Sequence, residues 1–205
     1  MVFFFIKDCM TKRVIIVGIP GVGKSTVITN ILNALSNSGV DVTMAEFGSL
    51  MFEQAKLLSI SNRDDLRKLS LERQRSLQDM TANYIFSLEN DIVIVDTHLF
   101  INTPQGYYPG IPSKLLNILN PSYLVLLVAS PNEILERRKT DITRQRDLIS
   151  LDDISNELDI SKIMIASSSI LSGCPFSIIQ NNNGQLEDAT NKICKMITYS
   201  NEDVK

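Results

Sequence analysis

The sequence has no surplus of basic residues, and this absence excludes one large class of proteins. It carries 20 lysine and arginine residues against 23 aspartate and glutamate residues, a formal net charge of -3. A general nucleic-acid-binding protein needs clustered Lys and Arg to displace the counterions of the phosphate backbone. We therefore expect no nucleic-acid partner, and any anion-binding site must be local.

Cysteine is scarce and long hydrophobic runs are missing. The three cysteines lie far apart at positions 9, 174 and 194, which fits neither a disulfide framework nor a CxxC zinc pair. The N-terminal stretch MVFFFI has six residues, too few for a membrane span or a signal peptide. We expect a cytoplasmic protein with no membrane partner. Residues 1–11 are interpreted as an inessential extension, containing either an extra strand or a translation start at Met10.

What the sequence does contain is an alternation of short apolar runs and amphipathic stretches. With 205 residues and 44% hydrophobic composition, we expect one domain with one core. The predicted strands cover residues 12–18, 41–47, 91–96, 123–129 and 175–180. The predicted helices cover residues 24–39, two segments within 49–89, 112–119, 132–139, and segments within 152–171 and 185–199. Strands separated by helices indicate an α/β fold with a five-stranded parallel sheet flanked by helices, since parallel neighbours need crossover connections.

One stretch carries a phosphate-binding pattern. Residues 18–25 read GIPGVGKS, which satisfies GxxxxGK[ST] in full, directly after the first predicted strand and at the start of a helix. Glycines let backbone N–H groups converge on an anion, and the helix N-terminus adds its dipole. We predict that Lys24 reaches the β- and γ-phosphates, Ser25 ligates Mg²⁺ and Thr26 meets the α-phosphate. An incidental glycine-rich turn would have no need of Lys and Ser at this offset.

A second buried strand, DIVIVD, ends in Asp96. In P-loop enzymes a carboxylate at the end of such a strand holds Mg²⁺, usually through water, and we predict this role for Asp96. An aspartate that caps the next segment is the alternative. The motifs of a GTPase are missing, because the nearest match to NKxD is NKIC at 191–194 and Asp96 does not begin a DxxG sequence. A GTP-dependent switch is therefore not expected.

Arginine occurs in two clusters. The first comprises Arg63, Arg67, Arg73 and Arg75, and the second Arg137, Arg138, Arg144 and Arg146. Guanidinium groups bind phosphate oxygens bidentately and neutralise a transferring phosphoryl group. Arg73, Arg75 and Arg137 have acidic neighbours and are more simply explained as solvated ion pairs. Two clusters in a chain with one P-loop predict two anionic substrates.

The chain resembles the archaeal adenylate kinases over about residues 13–199. The stretches that carry the resemblance are GIPGVGKST, FGSLMFEQA, NRDDLRKL, VDTHLFINTPQGYYPGIP, LNPSYLVLLV, ITRQRD and IIQN. Their combination and order are much more specific than the P-loop alone. The resemblance implies a three-layer P-loop fold of the nucleoside monophosphate kinase type, transfer of phosphate from ATP to AMP, dependence on Mg²⁺, and a homo-oligomer that is commonly a trimer.

The resemblance also implies roles for individual residues. The ATP-binding residues are Gly18, Ile19, Pro20, Gly21, Val22, Gly23, Lys24, Ser25 and Thr26. The AMP-binding residues are Arg63 and Arg67, joined by Phe47 and Gly48 because of their position between strand ends. The catalytic residues are Lys24, Arg138, Arg144 and Arg146, and the metal ligands are Ser25 and Asp96. Residues 12–205 then form one kinase domain, with a monophosphate-binding insertion near 47–90 and a short lid near 138–149.

Two alternatives to an adenylate kinase stay open. One is a kinase of the same fold for another nucleoside monophosphate or a small acceptor. The other is an ATP-binding switch or assembly factor with slow ATPase activity, which would not need the first arginine cluster. His98, the only histidine, follows Asp96 by two residues. Because an ionised phosphate acceptor needs no strong base, we expect His98 to serve in hydrogen bonding or packing.

Overall fold

The fold is described from a computed structural model that covers residues 11–60, 62, 65–66, 69–103, 106–140 and 150–198. The strands are β1 (Lys12–Val17), β2 (Val42–Glu46), β3 (Ile92–Asp96), β4 (Phe100–Thr103), β5 (Gly106–Pro109), β6 (Tyr123–Val128) and β7 (Phe176–Gln180). The helices are α1 (Lys24–Asn37), α2 (Phe47–Leu57), α3 (Leu71–Phe86), α4 (Ser113–Leu119), α5 (Pro131–Thr140), α6 (Leu151–Ser172) and α7 (Leu186–Thr198).

Five strands form one parallel sheet in the order β2-β3-β1-β6-β7. β1 lies at the centre, paired with β3 on one side and with β6 on the other. All residues of β1 after Lys12 and all residues of β6 after Tyr123 are buried. Such continuous burial is typical of parallel strands with helices on both faces. The prediction of a five-stranded parallel sheet flanked by helices is confirmed.

The helices pack through apolar stripes and fall into two groups. α1 packs against α7, while α4 packs against both α3 and α6. Along α1 the buried residues are Val27, Ile28, Ile31 and Leu35, which recur every three to four positions as helical geometry requires. Among the helices that the structure describes, none combines the length and apolar character needed to cross a bilayer. Because all five sheet strands run in the same direction, their carboxyl ends meet at one edge.

β4 and β5 form an antiparallel hairpin that the sequence analysis did not predict. Each strand has only four residues and none of the eight is buried, so the pair carries no apolar alternation. Gly110 closes the base of the hairpin, and its N–H donates to the carbonyl oxygen of Leu99 at 2.7 Å. A Cβ at Gly110 would overlap the carbonyl oxygen of His98. This position therefore requires glycine.

Candidate active site

The P-loop joins β1 to α1 at the carboxyl edge of the sheet. Gly21 and Gly23 have φ angles of 92° and 83°, in the left-handed region that favours glycine. At Gly18 there is no space for a side chain. A Cβ there would lie 2.7 Å from Cγ2 of Val22 and 2.9 Å from the carbonyl oxygen of Leu127. Backbone conformation and close packing thus account for all three glycines of the motif.

Two side chains from distant parts of the chain donate hydrogen bonds to backbone carbonyl oxygens of the P-loop. Asn181, which follows β7, donates from Nδ2 to the carbonyl oxygen of Val22 at 2.8 Å, and this hydrogen bond is buried. Arg137 of α5 donates to the carbonyl oxygens of Gly21 at 3.4 Å and Asn181 at 3.1 Å. It also forms the expected ion pair with Glu133, at 3.2 Å. Arg137 is thus more than a solvated helix residue, because it ties α5 to the P-loop.

Arg138 contacts the same loop one residue earlier. Its Nε donates to the carbonyl oxygen of Pro20 at 2.7 Å, and its Nη2 donates to Oε2 of Glu157 on α6 at 2.9 Å. The side chains of Arg138 and Glu157 are only 6% and 10% exposed. The sequence predicted that Arg138 is a catalytic residue at the entry to a lid. The structure places Arg138 in α5 with its guanidinium bonded to protein groups, and its catalytic role stays a prediction.

Lys24 and Asp96 form an ion pair at the mouth of the P-loop. Lys24 is the first residue of α1. Asp96 is the last residue of β3 and lies beside Ile16 of β1 in the sheet. Ser25 and Thr26 are exposed in the first turn of α1, where backbone N–H groups have no partner within the helix. The structure therefore brings together the lysine and the carboxylate that the sequence analysis assigned to phosphate and metal.

The predicted AMP side is described only in part. Phe47 and Gly48 follow β2 directly and begin α2, two residues before the predicted helical segment. Phe47 is 5% exposed and belongs to the hydrophobic core, and its contact with AMP stays a prediction. Arg63 and Arg67 lie outside the described residues. Their binding of the AMP phosphate stays a prediction.

Of the remaining arginines and the histidine, some lie within the described residues and some lie outside them. Arg73 and Arg75 are exposed on α3, consistent with the solvated helix face expected for them. Arg144 and Arg146 lie outside the described residues, and their catalytic role stays a prediction. His98 is exposed between β3 and the hairpin and takes part in interactions there, and its role in hydrogen bonding or packing stays a prediction.

The sequence analysis gave no role to Asn181 or Glu157. Asn181 stood at the end of the IIQN stretch, directly after a predicted strand, and that position could have pointed to the carboxyl edge of the sheet. Glu157 lies on the buried face of α6 with Ile154, Leu158 and Ile165. A carboxylate at a core position of an amphipathic helix requires a buried partner. The sequence could reveal that need, but it could not identify Arg138 as the partner.

Comparison with known proteins agrees with this geometry. A family model described as an AAA domain matches residues 17–155. The adenylate kinase of Methanocaldococcus jannaschii is 37% identical over 188 residues, which cover 91% of this chain and 98% of that protein. The adenylate kinase of Pyrococcus horikoshii is 41% identical over 187 residues, covering 90% and 94%. Among solved structures, a shikimate kinase from Acinetobacter baumannii in complex with shikimate superposes with a TM-score of 0.59 at 16% identity, covering 96% of this chain and 97% of that one.

The central parallel sheet with a P-loop after its middle strand, shared with the shikimate kinase, places the chain in the class of small P-loop kinase folds. Identity to the archaeal enzymes is much higher and extends over nine-tenths of the sequence. The chain belongs to the archaeal adenylate kinase family.

Proposed function

We propose that the protein is an adenylate kinase, which transfers the γ-phosphoryl group of ATP to AMP reversibly and so forms two ADP. The observation that carries the proposal is the Lys24–Asp96 pair at the mouth of a complete P-loop. It occurs in a chain 37% and 41% identical to two adenylate kinases over about 90% of its length. The pair supplies the cation for the triphosphate and the carboxylate for its metal ion.

In this proposal residues 18–26 bind the triphosphate of ATP. The backbone N–H groups of the loop and of the first turn of α1 would donate to phosphate oxygens, with the helix dipole adding to the attraction. Lys24 would exchange its contact with Asp96 for one with the β- and γ-phosphates, and would neutralise charge on the transferring group. A preorganised backbone makes these interactions effective because the donors need no rearrangement at the moment of transfer.

Ser25 and Asp96 are the proposed ligands of Mg²⁺. Within the described ranges no cluster of three or more His, Cys, Asp or Glu side chains could hold a metal ion. This fits Mg²⁺, since the ion keeps several waters and is shared with substrate phosphates, so one hydroxyl and one carboxylate suffice. When bound, the ion would supply positive charge that neutralises the charge developing on the transferring phosphoryl group. Asp96 lies at the end of β3, which is paired with a strand on each side, and this would fix its carboxylate relative to Ser25.

We also propose an AMP-binding part and a lid around this site. Residues 47–90 would bind AMP, with Arg63 and Arg67 on its phosphate and Phe47 and Gly48 lining the pocket. Residues 138–149 would form the lid, with Arg138 as its fixed start and Arg144 and Arg146 on the transferring phosphoryl group. Transfer between two polyanions depends on alignment, charge neutralisation and exclusion of water. Closure of both parts over the two nucleotides would provide these, and would protect ATP from hydrolysis.

The deciding experiment measures ADP formation from ATP and Mg²⁺ with AMP, CMP, UMP or GMP as acceptor. We expect a strong preference for AMP and little hydrolysis of ATP alone. Preference for another monophosphate would indicate a different kinase of the same fold. Slow ATP hydrolysis with no acceptor dependence would indicate a switch. A Lys24→Ala preparation, assayed in parallel, controls for contaminating kinases.

We propose further that the protein is a homotrimer in the cytoplasm. Exposed apolar residues on α6 and on the edge strand β7 offer surface for subunit contacts, namely Ile163, Ile170, Phe176 and Ile178. Light scattering after size exclusion should give three times the chain mass of 22.9 kDa, and a single chain mass would reject the trimer. The free thiols of Cys174 and Cys194 support a reducing compartment, which cell fractionation would test.

A further inference from the structure

We propose that Glu157 is a positioning residue for the ATP site, acting through Arg138 on the backbone of the P-loop. The inference rests on the proposed function only in naming ATP as the ligand. It assigns Arg138 a positioning role in place of the catalytic role predicted from the sequence. The two residues and Pro20 form a continuous chain of contacts from α6 through α5 to the loop.

The first step is the orientation of one peptide plane. In a planar trans peptide the C=O and N–H groups point in opposite directions. The carbonyl oxygen of Pro20 is held by Nε of Arg138 at 2.7 Å, so the N–H of Gly21 points away from Arg138. The carbonyl oxygen of Val22 accepts a hydrogen bond from Nδ2 of Asn181 at 2.8 Å, so the N–H of Gly23 likewise points away from Asn181. Alternate N–H groups of the loop are thereby turned toward the side where an anion would be bound.

The second step is the position of Arg138 itself. A Cβ built on Gly21 would lie 3.1 Å from Cγ of Arg138, so the aliphatic part of the arginine packs closely on the loop. Its guanidinium must therefore stay in one place for the loop to keep its shape. Gly21, whose φ angle is 92°, has the wide conformational freedom of a glycine unless something restrains it. Arg138 restrains it through the carbonyl oxygen of Pro20, beside the bond from Arg137 to the carbonyl oxygen of Gly21.

The third step is the charge. A buried guanidinium needs a counter-charge, and Glu157 provides it at 2.9 Å, with only 10% of its side chain exposed. Glu157 also prevents Arg138 from turning toward a phosphate, because that movement would leave a buried carboxylate unpaired. The carbonyl oxygen of Glu157 accepts from the hydroxyl of Ser161, which is buried in the same helix. Glu157 thus lies on the buried face of α6.

The test is the Glu157→Gln variant, whose side chain keeps its length and an acceptor oxygen but loses the charge. We expect the Kd for ATP, measured by titration without AMP, to rise about 10-fold to 100-fold, the size of effect that loss of precise positioning produces. KM for ATP should rise in parallel, while KM for AMP should stay within about twofold, since the contact of Glu157 with Arg138 leads to Pro20 in the ATP-binding loop. An ATP Kd within about twofold of wild type, or tighter binding, would overturn the proposal.

Two controls on α6 separate positioning from general destabilisation. Ile165→Val removes one methylene group from the buried face without touching Arg138, and Asp159→Asn removes an exposed carboxylate that pairs with Lys162 at 2.8 Å. Neither should change the Kd for ATP. If Ile165→Val lowers the melting temperature as much as Glu157→Gln and weakens ATP equally, the effect is structural and the proposal fails.

A double-mutant cycle covers the case in which Glu157→Gln folds poorly. Replacing both residues, Arg138→Met with Glu157→Met, removes the buried charges together and should fold. We expect this double variant to bind ATP as weakly as Arg138→Met alone, because Glu157 acts only through Arg138. Wild-type affinity in the double variant would refute the role of the pair. Because these titrations contain no AMP, they remain valid even if the wild-type protein forms no ADP, a result that would reject the proposed function alone.

Discussion

Lys24 is the residue on which the proposed chemistry depends most directly. Lys24→Ala removes the cation that faces the phosphates, and we expect kcat for ADP formation to fall about 100-fold to 1000-fold. The side chain is 12% exposed and does not belong to the hydrophobic core, so the far-UV circular dichroism spectrum should stay unchanged. Lys192→Ala, which removes an exposed lysine paired with Asp188 on α7, is the matched control. A Lys24→Ala enzyme within about tenfold of wild type would argue against the P-loop assignment.

Arg67 tests the AMP side. If it contacts the acceptor phosphate, Arg67→Ala should raise KM for AMP by about 10-fold or more and leave KM for ATP nearly constant, as expected for loss of one charged hydrogen-bonding partner. Arg75→Ala is the control, because Arg75 is exposed on α3. Steady-state kinetics with each nucleotide varied in turn make the measurement. Equal changes for both nucleotides would assign Arg67 to a solvated helix face.

The residues of the site differed in how well the sequence could predict them. Lys24 and Asp96 could be placed because the local sequence is enough. Lys24 belongs to a recognisable motif, and Asp96 ends a predicted strand. The partners of Arg138 could not, because Pro20 lies 118 positions before it and Glu157 belongs to another helix. Local sequence patterns contain no information on such contacts, which depend on how three elements pack.

At the scale of elements, β1, β3 and β6 were predictable because burial on both faces demands unbroken apolar runs. The edge strands β2 and β7 are mostly exposed or half-buried, and they were predictable from short apolar runs placed between helical segments. The hairpin of β4 and β5 was not, because its short exposed strands have no such requirement. Helix bounds were predicted to within about two residues where a capping residue or glycine marks the end, as at α1, which stops at Asn37 shortly before Gly39. What the sequence reveals about an element therefore depends on whether the element carries a recognisable apolar pattern.

The hairpin gives a prediction about stability. In Gly110→Ala the new methyl group would overlap a backbone carbonyl oxygen, which cannot rotate away as a side chain could. We expect the free energy of unfolding in urea to fall by about 3 kcal/mol. Gly39→Ala adds the same methyl group in open space at a φ of 79°, and should cost only about 1 kcal/mol. Equal losses in the two variants would show that the hairpin base can relax.

The capping box of α6 gives a prediction about pH. Hydrogen bonds from the Ser150 side chain and backbone lower the pKa of Asp153 from its ordinary value of 3.8. Because the folded-state pKa is the lower one, the stabilisation is present above pH 3.8 and is lost as the pH falls through the folded-state value. Ser150→Ala should reduce the free energy of unfolding by about 1 kcal/mol at neutral pH.

That difference from wild type should shrink in acid, when Asp153 is protonated in both proteins. Ser167→Ala, in the middle of α6 and with its hydroxyl bonded to the carbonyl oxygen of Ile163, is the control and should stay within about 0.5 kcal/mol of wild type. Urea titrations at several pH values measure all three proteins. A Ser150→Ala loss that is the same at pH 3 and pH 7 would contradict the pKa argument.

At the scale of the whole molecule, ATP should stabilise the folded chain, because only the folded P-loop binds it. At a free ATP concentration 100 times its Kd, the expected gain is about 2.7 kcal/mol. For a chain of this length that corresponds to a rise in melting temperature of about 5–10 °C. Differential scanning fluorimetry with Mg²⁺ and ATP measures the shift. Lys24→Ala at the same ATP concentration should shift less, and an equal shift would place ATP elsewhere.

The bond from Asn181 to Val22 spans 159 positions of the chain, and this separation affects how the protein is made. A ribosome releases the P-loop early, long before β7 and the asparagine that follows it. The growing polypeptide therefore carries the phosphate-binding motif without one of its supports, and it completes the nucleotide site only when the last strand joins the sheet. Nascent chains and fragments truncated before β7 should consequently not bind the cell's nucleotides.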